Sequence, residues 1–112
     1  MLAYLASKAQ FLKDAPTIED IVKTAVEKNL NLSVAQPEYN AWRNSLGNAM
    51  SHAMNDPEIP NDSAVAVEYR LNGRKFRIDF IIAGLNSAGI ESVVIVELSN
   101  GLRLTFRIWK IM

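Results

Sequence analysis

The eighteen residues Val65–Ile82, VAVEYRLNGRKFRIDFII, decide the fold. Two runs that alternate apolar and polar residues flank Asn72-Gly73. That dipeptide is the strongest short hairpin signal, because both residues tolerate positive φ. With Asn72-Gly73 as a two-residue turn, Arg70 faces Lys75, Tyr69 faces Phe76, Glu68 faces Arg77 and Ala66 faces Asp79. Side chains alternate between the two faces of a sheet. One face collects Val65, Val67, Tyr69, Phe76, Ile78, Phe80 and Ile82 and is wholly apolar, so it should meet the rest of the protein. The other collects Glu68, Lys75, Arg77 and Asp79 with Ala64, Ala66 and Ile81.

Downstream, a loop AGLNSAGIE leads into SVVIVELS, a third strand. If that loop centres near Ala88, Asp79 lies directly opposite Glu97, with Cβ atoms about 5 Å apart. Two carboxylates that close repel unless something positive sits between them. A Mg²⁺ ion held through oxygens and waters would do this. So would a simple ion pair of Asp79 with Arg77 or Lys75. Ser99, two residues past Glu97, shares their face. Glu68 is either a third acidic ligand or the cross-strand partner of Arg77, and the pairing is the reading to prefer.

Upstream, the chain reads as helices. MLAYLAS has room for a short strand, and Ser7 can start a short helix over SKAQFLKDA. In PTIEDIVKTAVEKNL, Thr17 is an N-cap with Asp20 three residues on as a partial capping box. Ile18, Ile21, Val22, Ala25 and Val26 fall on one face of that helix. A longer helix runs from Pro37 to about Met54, opened by a proline whose missing amide costs nothing there. Tyr39, Trp42 and Leu46 keep helical spacing, which makes Trp42 a core residue before it is a base-stacking one. NDPEIPND then breaks the pattern. Helices followed by an antiparallel three- to four-stranded meander give an α+β domain, with the helices on one sheet face.

Composition bounds the rest. The 112 residues suit one domain, half of them are apolar, and twelve basic residues balance twelve acidic ones. Any nucleic-acid surface must therefore be a local basic patch, and Arg70, Arg74, Lys75 and Arg77 around the first hairpin are the candidates, although a solvated turn is the reading to prefer. No cysteine is present, which excludes thiolate metal sites and favours an intracellular, cytoplasmic location. There is no signal peptide, membrane-length apolar run or Walker A loop, so neither a membrane nor a nucleoside triphosphate is an expected partner. His52, the only histidine, has no second ligand spaced for zinc.

RIDFIIAG followed by VVIVELS resembles the PD-(D/E)xK nuclease superfamily. Asp79 matches the first acidic position, Glu97 the second and Ser99 the usual lysine. The ordered set FLKDA, WRNSL, NDPEIPND, VAVEY and RIDFIIAG makes the likeness closer. It is similar to the N-terminal, nuclease-like segment of large bacterial proteins that continue into a Schlafen-type DNA/RNA helicase ATPase. The resemblance covers residues 1–98 and implies a truncated restriction-endonuclease-like core. It also implies that Asp79 and Glu97 hold Mg²⁺ for phosphodiester hydrolysis; the helix glutamate that such proteins often add would be Glu38, although its place in the first turn of a helix, where the dipole favours acids, explains it well enough. A serine cannot supply the lysine's charge, so cleavage should be absent or very weak. The alternative is a non-catalytic module that binds nucleic acid or protein and self-associates through an exposed sheet edge.

Where the family pattern would read Glu-Leu-Lys-Gln-Trp, this chain reads Glu-Leu-Ser-Asn-Gly. Deleting one A from AAG CAA TGG leaves AGC AAT GG, which encodes Ser-Asn-Gly. Residues 99–112 are then a frameshifted tail. Alternatively they are a natural hairpin on Asn100-Gly101, with Glu97 facing Leu104. Sequencing the source DNA separates the two. A slipped frame predicts Lys-Gln-Trp and further family-like sequence in the alternative frame after codon 98, and its absence there rules the slip out.

Overall fold

The computed structural model describes residues 1–72, 75–85, 91–99 and 108–111. Strand β1 (Leu2–Ser7) leads into helix α1 (Lys8–Asp14), a 3₁₀ turn (Ala15–Thr17) and α2 (Ile18–Leu30). Helix α3 (Gln36–Trp42) runs on through wider π-helical turns (Arg43–Met50) into α4 (Ser51–Met54). Strands β2 (Ala64–Asn72), β3 (Lys75–Leu85), β4 (Glu91–Ser99) and β5 (Ile108–Ile111) complete it. All five strands form one antiparallel sheet in the order β1-β2-β3-β4-β5. The class is α+β, with the expected meander extended by β1 at one edge and β5 at the other. Among the described residues no helix is long and apolar enough to cross a membrane.

The helices cover one sheet face, and the period-two pattern of the hairpin selects it. Val65, Val67, Tyr69, Ile78 and Phe80 are buried there against Phe11, Ile18, Val22, Val26, Trp42 and Leu46. Ile82 packs at the margin of this core, and the side chain of Phe76 lies outside the described residues. Phe11 meets Phe80 edge-on at 5.1 Å between ring centroids, and Trp42 meets Tyr69 at 6.2 Å. Trp42 is thus a core residue.

Capping is only half as expected. Ser7 accepts a hydrogen bond from the Gln10 amide at 3.1 Å and starts α1. Thr17 does sit at the N-cap of α2, but its side chain makes no cap bond; its hydroxyl donates back to the Asp14 carbonyl. The 3₁₀ turn before α2 turns that hydroxyl away, so the capping box does not form. Gly47 lets the widened helix pass close to this turn, since a Cβ there would stand 3.2 Å from the Ala15 carbonyl oxygen.

Two registers differ from expectation. In the first hairpin Asn72 pairs with Lys75, leaving Gly73 and Arg74 as the intervening residues, both outside the described set. The shift of two keeps every side chain on its face but changes every partner: Glu68 faces Asp79, and Arg70 faces Arg77. In β4–β5 the pairs run from Val96↔Ile108 to Val93↔Ile111. That is three residues away from the Glu97–Leu104 register, whose turn at Asn100-Gly101 lies outside the described residues. The β3–β4 register is as expected, with Asp79 opposite Glu97.

Glu38 packs between α3 and the sheet and is 7 % exposed. Burial pushes its carboxyl up to about 7, against the opposing pull of a hydrogen bond from Tyr69, and its Oε1 has no hydrogen-bond partner. Tyr69 in turn is pushed up to about 12, chiefly by burial. The folded form therefore holds its proton at a pH where the unfolded chain has lost it. Stability from this group is fully present below pH 4.5 and is lost as pH rises to about 7. Glu38→Gln should flatten that slope and gain on the order of 2 kcal/mol at pH 8 in urea denaturation. An unchanged slope would show that Glu38 is not the group responsible.

Candidate functional site

The sheet face away from the helices carries the charges. Asp79 stands at its centre in β3, 2 % exposed. Arg70, on β2, donates from Nε to Asp79 Oδ2 at 2.9 Å. Arg77, two residues before Asp79 and on the same face, donates from Nη2 to Oδ2 at 3.2 Å. Arg77 Nε also lies 2.9 Å from Oδ1. That N–H does not point along the line between the atoms, so neither atom makes a hydrogen bond. The contact is one of charge alone.

The network extends both ways. Arg77 Nη1 reaches Glu97 Oε1 at 3.7 Å, and Arg70 Nη2 reaches Glu68 Oε1 at 3.9 Å. The amino terminus of Met1 approaches Glu68 Oε1 at 4.0 Å and donates to the Tyr69 carbonyl at 2.6 Å. Charges thus alternate from β1 to β4: amino terminus, Glu68, Arg70, Asp79, Arg77, Glu97. Row by row, Glu68, Asp79 and Glu97 stand opposite one another, and Arg70 and Arg77 form the next row. The like charges along each row are compensated by diagonal neighbours, which are still within reach of long side chains.

The expected residues are therefore together, in a different relation from the one expected. Asp79 and Glu97 do face each other, but what stands between them is the Arg77 guanidinium. Glu68 does not pair with Arg77; its cation partners are Arg70 and the amino terminus, because the hairpin register is shifted by two. Ser99 is opposite Arg77 in the ladder, and its side chain lies outside the described residues, as do Arg74 and the side chain of Lys75. Glu38 contacts Tyr69 on the helix side of the sheet, so the sheet separates it from Asp79. His52 is exposed on α4.

This donor set does not fit Mg²⁺ as it stands. The ion takes oxygen ligands in an octahedron, and the Asp79 oxygens are covered by two guanidinium groups. Among the described residues no three acidic, histidine or cysteine side chains converge to hold a metal ion. Much of the rest of this face is apolar, with Ser7 and Glu91 as polar positions toward its far end. Leu5, Ala66, Ile81 and Ile95 form one row across four strands, continued in register by Trp109, beside a second row of Ala64, Ala83 and Val93.

Sequence reasoning did not single out Lys8, which is 3 % exposed and anchors the loop after α4. Its position beside Ser7, the cap residue of an amphipathic helix, gives no signal of that role. Set against known proteins, the chain matches no family model, no curated protein and no solved structure.

Proposed function

We propose that this domain works by binding and not by catalysis, and that its fold descends from a metal-dependent nuclease of the PD-(D/E)xK kind. The Asp79–Glu97 register supports the ancestry. The loss of chemistry rests on one observation: the Arg77 guanidinium occupies the space between the two carboxylates. A catalytic ion there would have to displace it and also the Arg70 contact. Arg70 and Arg77 are spent on carboxylates, which leaves them little charge for phosphates, so a protein partner is better supported than a nucleic acid.

A second copy of the chain is the partner the sheet edge favours. Strand β1 is an edge strand whose sequence, LAYLAS, holds neither charge nor proline. Natural edges are usually blunted by one or the other. Leu2 and Leu5 are 50 % and 64 % exposed. Two β1 strands pairing antiparallel about a two-fold axis would join two sheets and cover both leucines.

Three measurements test the proposal. Single- and double-stranded DNA and RNA should survive incubation with the protein and Mg²⁺. Asp79→Asn should cost stability, about 2 kcal/mol, less than a fully buried pair because both arginines reach solvent. Mg²⁺-dependent cleavage that Asp79→Ala abolishes would overturn the non-catalytic reading. Sedimentation should show a concentration-dependent dimer that Leu5→Lys converts to a folded monomer. A wild-type monomer at every concentration would remove self-association.

A further inference from the structure

The helical layer carries a second feature that neither the charge network nor the sheet edge involves. Lys8 extends from the first position of α1 into the loop between α4 and β2. Its Nζ donates to the carbonyls of Asp56 and Ile59, each at 2.6 Å. The backbone amides of Lys8 and Ala9 bond Ser63 and Asn61 of the same loop, at 2.8 and 3.2 Å. These four bonds strap the loop to the start of α1. They do not neutralise the ammonium. Among the described residues no carboxylate lies within ion-pair distance of Lys8, and an ammonium has three donors, of which two are used here. A cation this deeply buried without a counter-charge is costly unless an anion joins it.

Space for one adjoins it. Lys8 lines a cavity of about 460 Å³ with Leu12, Asn55, Asp56 and Asn61. Leu12 and Asn55 are shared with a neighbouring cavity of about 500 Å³, whose wall includes Asn48, Ser51 and His52. Together they form a polar groove along α1, the π-helical turns and α4. Stretches of π-helix often occur at functional sites. The carboxylate of Asp56 at the rim opposes anions, and its Oδ1 is engaged by the Glu58 amide at 2.9 Å. One free donor, one positive charge and one opposing carboxylate suit a monoanion better than a phosphate dianion. The amides of Asn48, Asn55 and Asn61 suit a ligand body that both donates and accepts hydrogen bonds.

We propose that this groove binds a small polar carboxylate of the acylated amino-acid kind, with Lys8 as its charge partner. The probe is N-acetylglycine, titrated into the ¹⁵N-labelled protein and followed by side-chain amide and backbone shifts. Saturable shifts confined to Asn48, Asn55, Asn61 and the start of α1 are the expected result, absent with the neutral N-acetylglycinamide. Asn55→Ala should weaken binding about fivefold, the worth of one hydrogen bond. Asp56→Asn, which keeps the acceptor for Glu58, should tighten it about threefold by removing the opposing charge. No saturable shift in the wild-type protein would overturn the proposal and leave Lys8 as a loop strap. Equal shifts from the neutral amide, or tighter binding of inorganic phosphate, would overturn it too, the latter by replacing the ligand class.

Discussion

The ion pairs that hold Asp79 are the constraint around which the sheet is arranged. An ionised carboxylate that is 2 % exposed needs compensating charge close by. Arg70 comes from the neighbouring strand and Arg77 from the same one. That requirement ties β2 to β3 as firmly as the apolar pattern does. A slip of one residue in β3 would turn Asp79 into the core beneath Phe11 and lift Ile78 and Phe80 into solvent. A slip of two toward the Asn72-Gly73 turn would keep the faces but carry Arg70 away from Asp79 and set Ala66 opposite it. The apolar face excludes odd slips, and the charged face disfavours that even one.

How far the sequence could be read follows from this division. Alternation identified the inner face of β2 and β3, and helical spacing the helix faces, because burial depends on period and not on partner. The β3–β4 register followed from a loop centred near Ala88, and the ladder pairs Asp79 with Glu97 as that centre requires. The β2–β3 register was not. Asn72-Gly73 is so favourable a turn that it outweighed the alternative, yet the strands pair through Asn72↔Lys75. A shift of two is invisible to the apolar pattern, and only the charges respond to it. Glu68 thereby changed from a partner of Arg77 to a neighbour of Asp79 across the strands.

The site was harder to read because a metal centre and an ion-pair network use the same residues. Acidic residues facing each other on one sheet face are required by both. What separates them is where the basic side chains end, which depends on rotamers and on the hairpin register. The i, i+2 spacing of Arg77 and Asp79 is visible in the sequence and puts both on one face, as the structural alternative requires. Lys8 left no comparable trace. Its partners are backbone carbonyls of a distant loop, and carbonyls have no side-chain identity to read.

Position 99 connects the two outcomes. In the ladder Ser99 stands opposite Arg77, and like charges that face each other across antiparallel strands repel. A lysine there, as the nuclease pattern requires, would compete with Arg77 for the same two carboxylates. It would leave the guanidinium either displaced toward solvent or held against a second cation. A small neutral residue imposes no such competition, so Arg77 can settle between Asp79 and Glu97. On the proposed descent, the serine at position 99 and the arginine between the two carboxylates would be one change, because a neutral residue opposite Arg77 leaves its guanidinium free to pair with both.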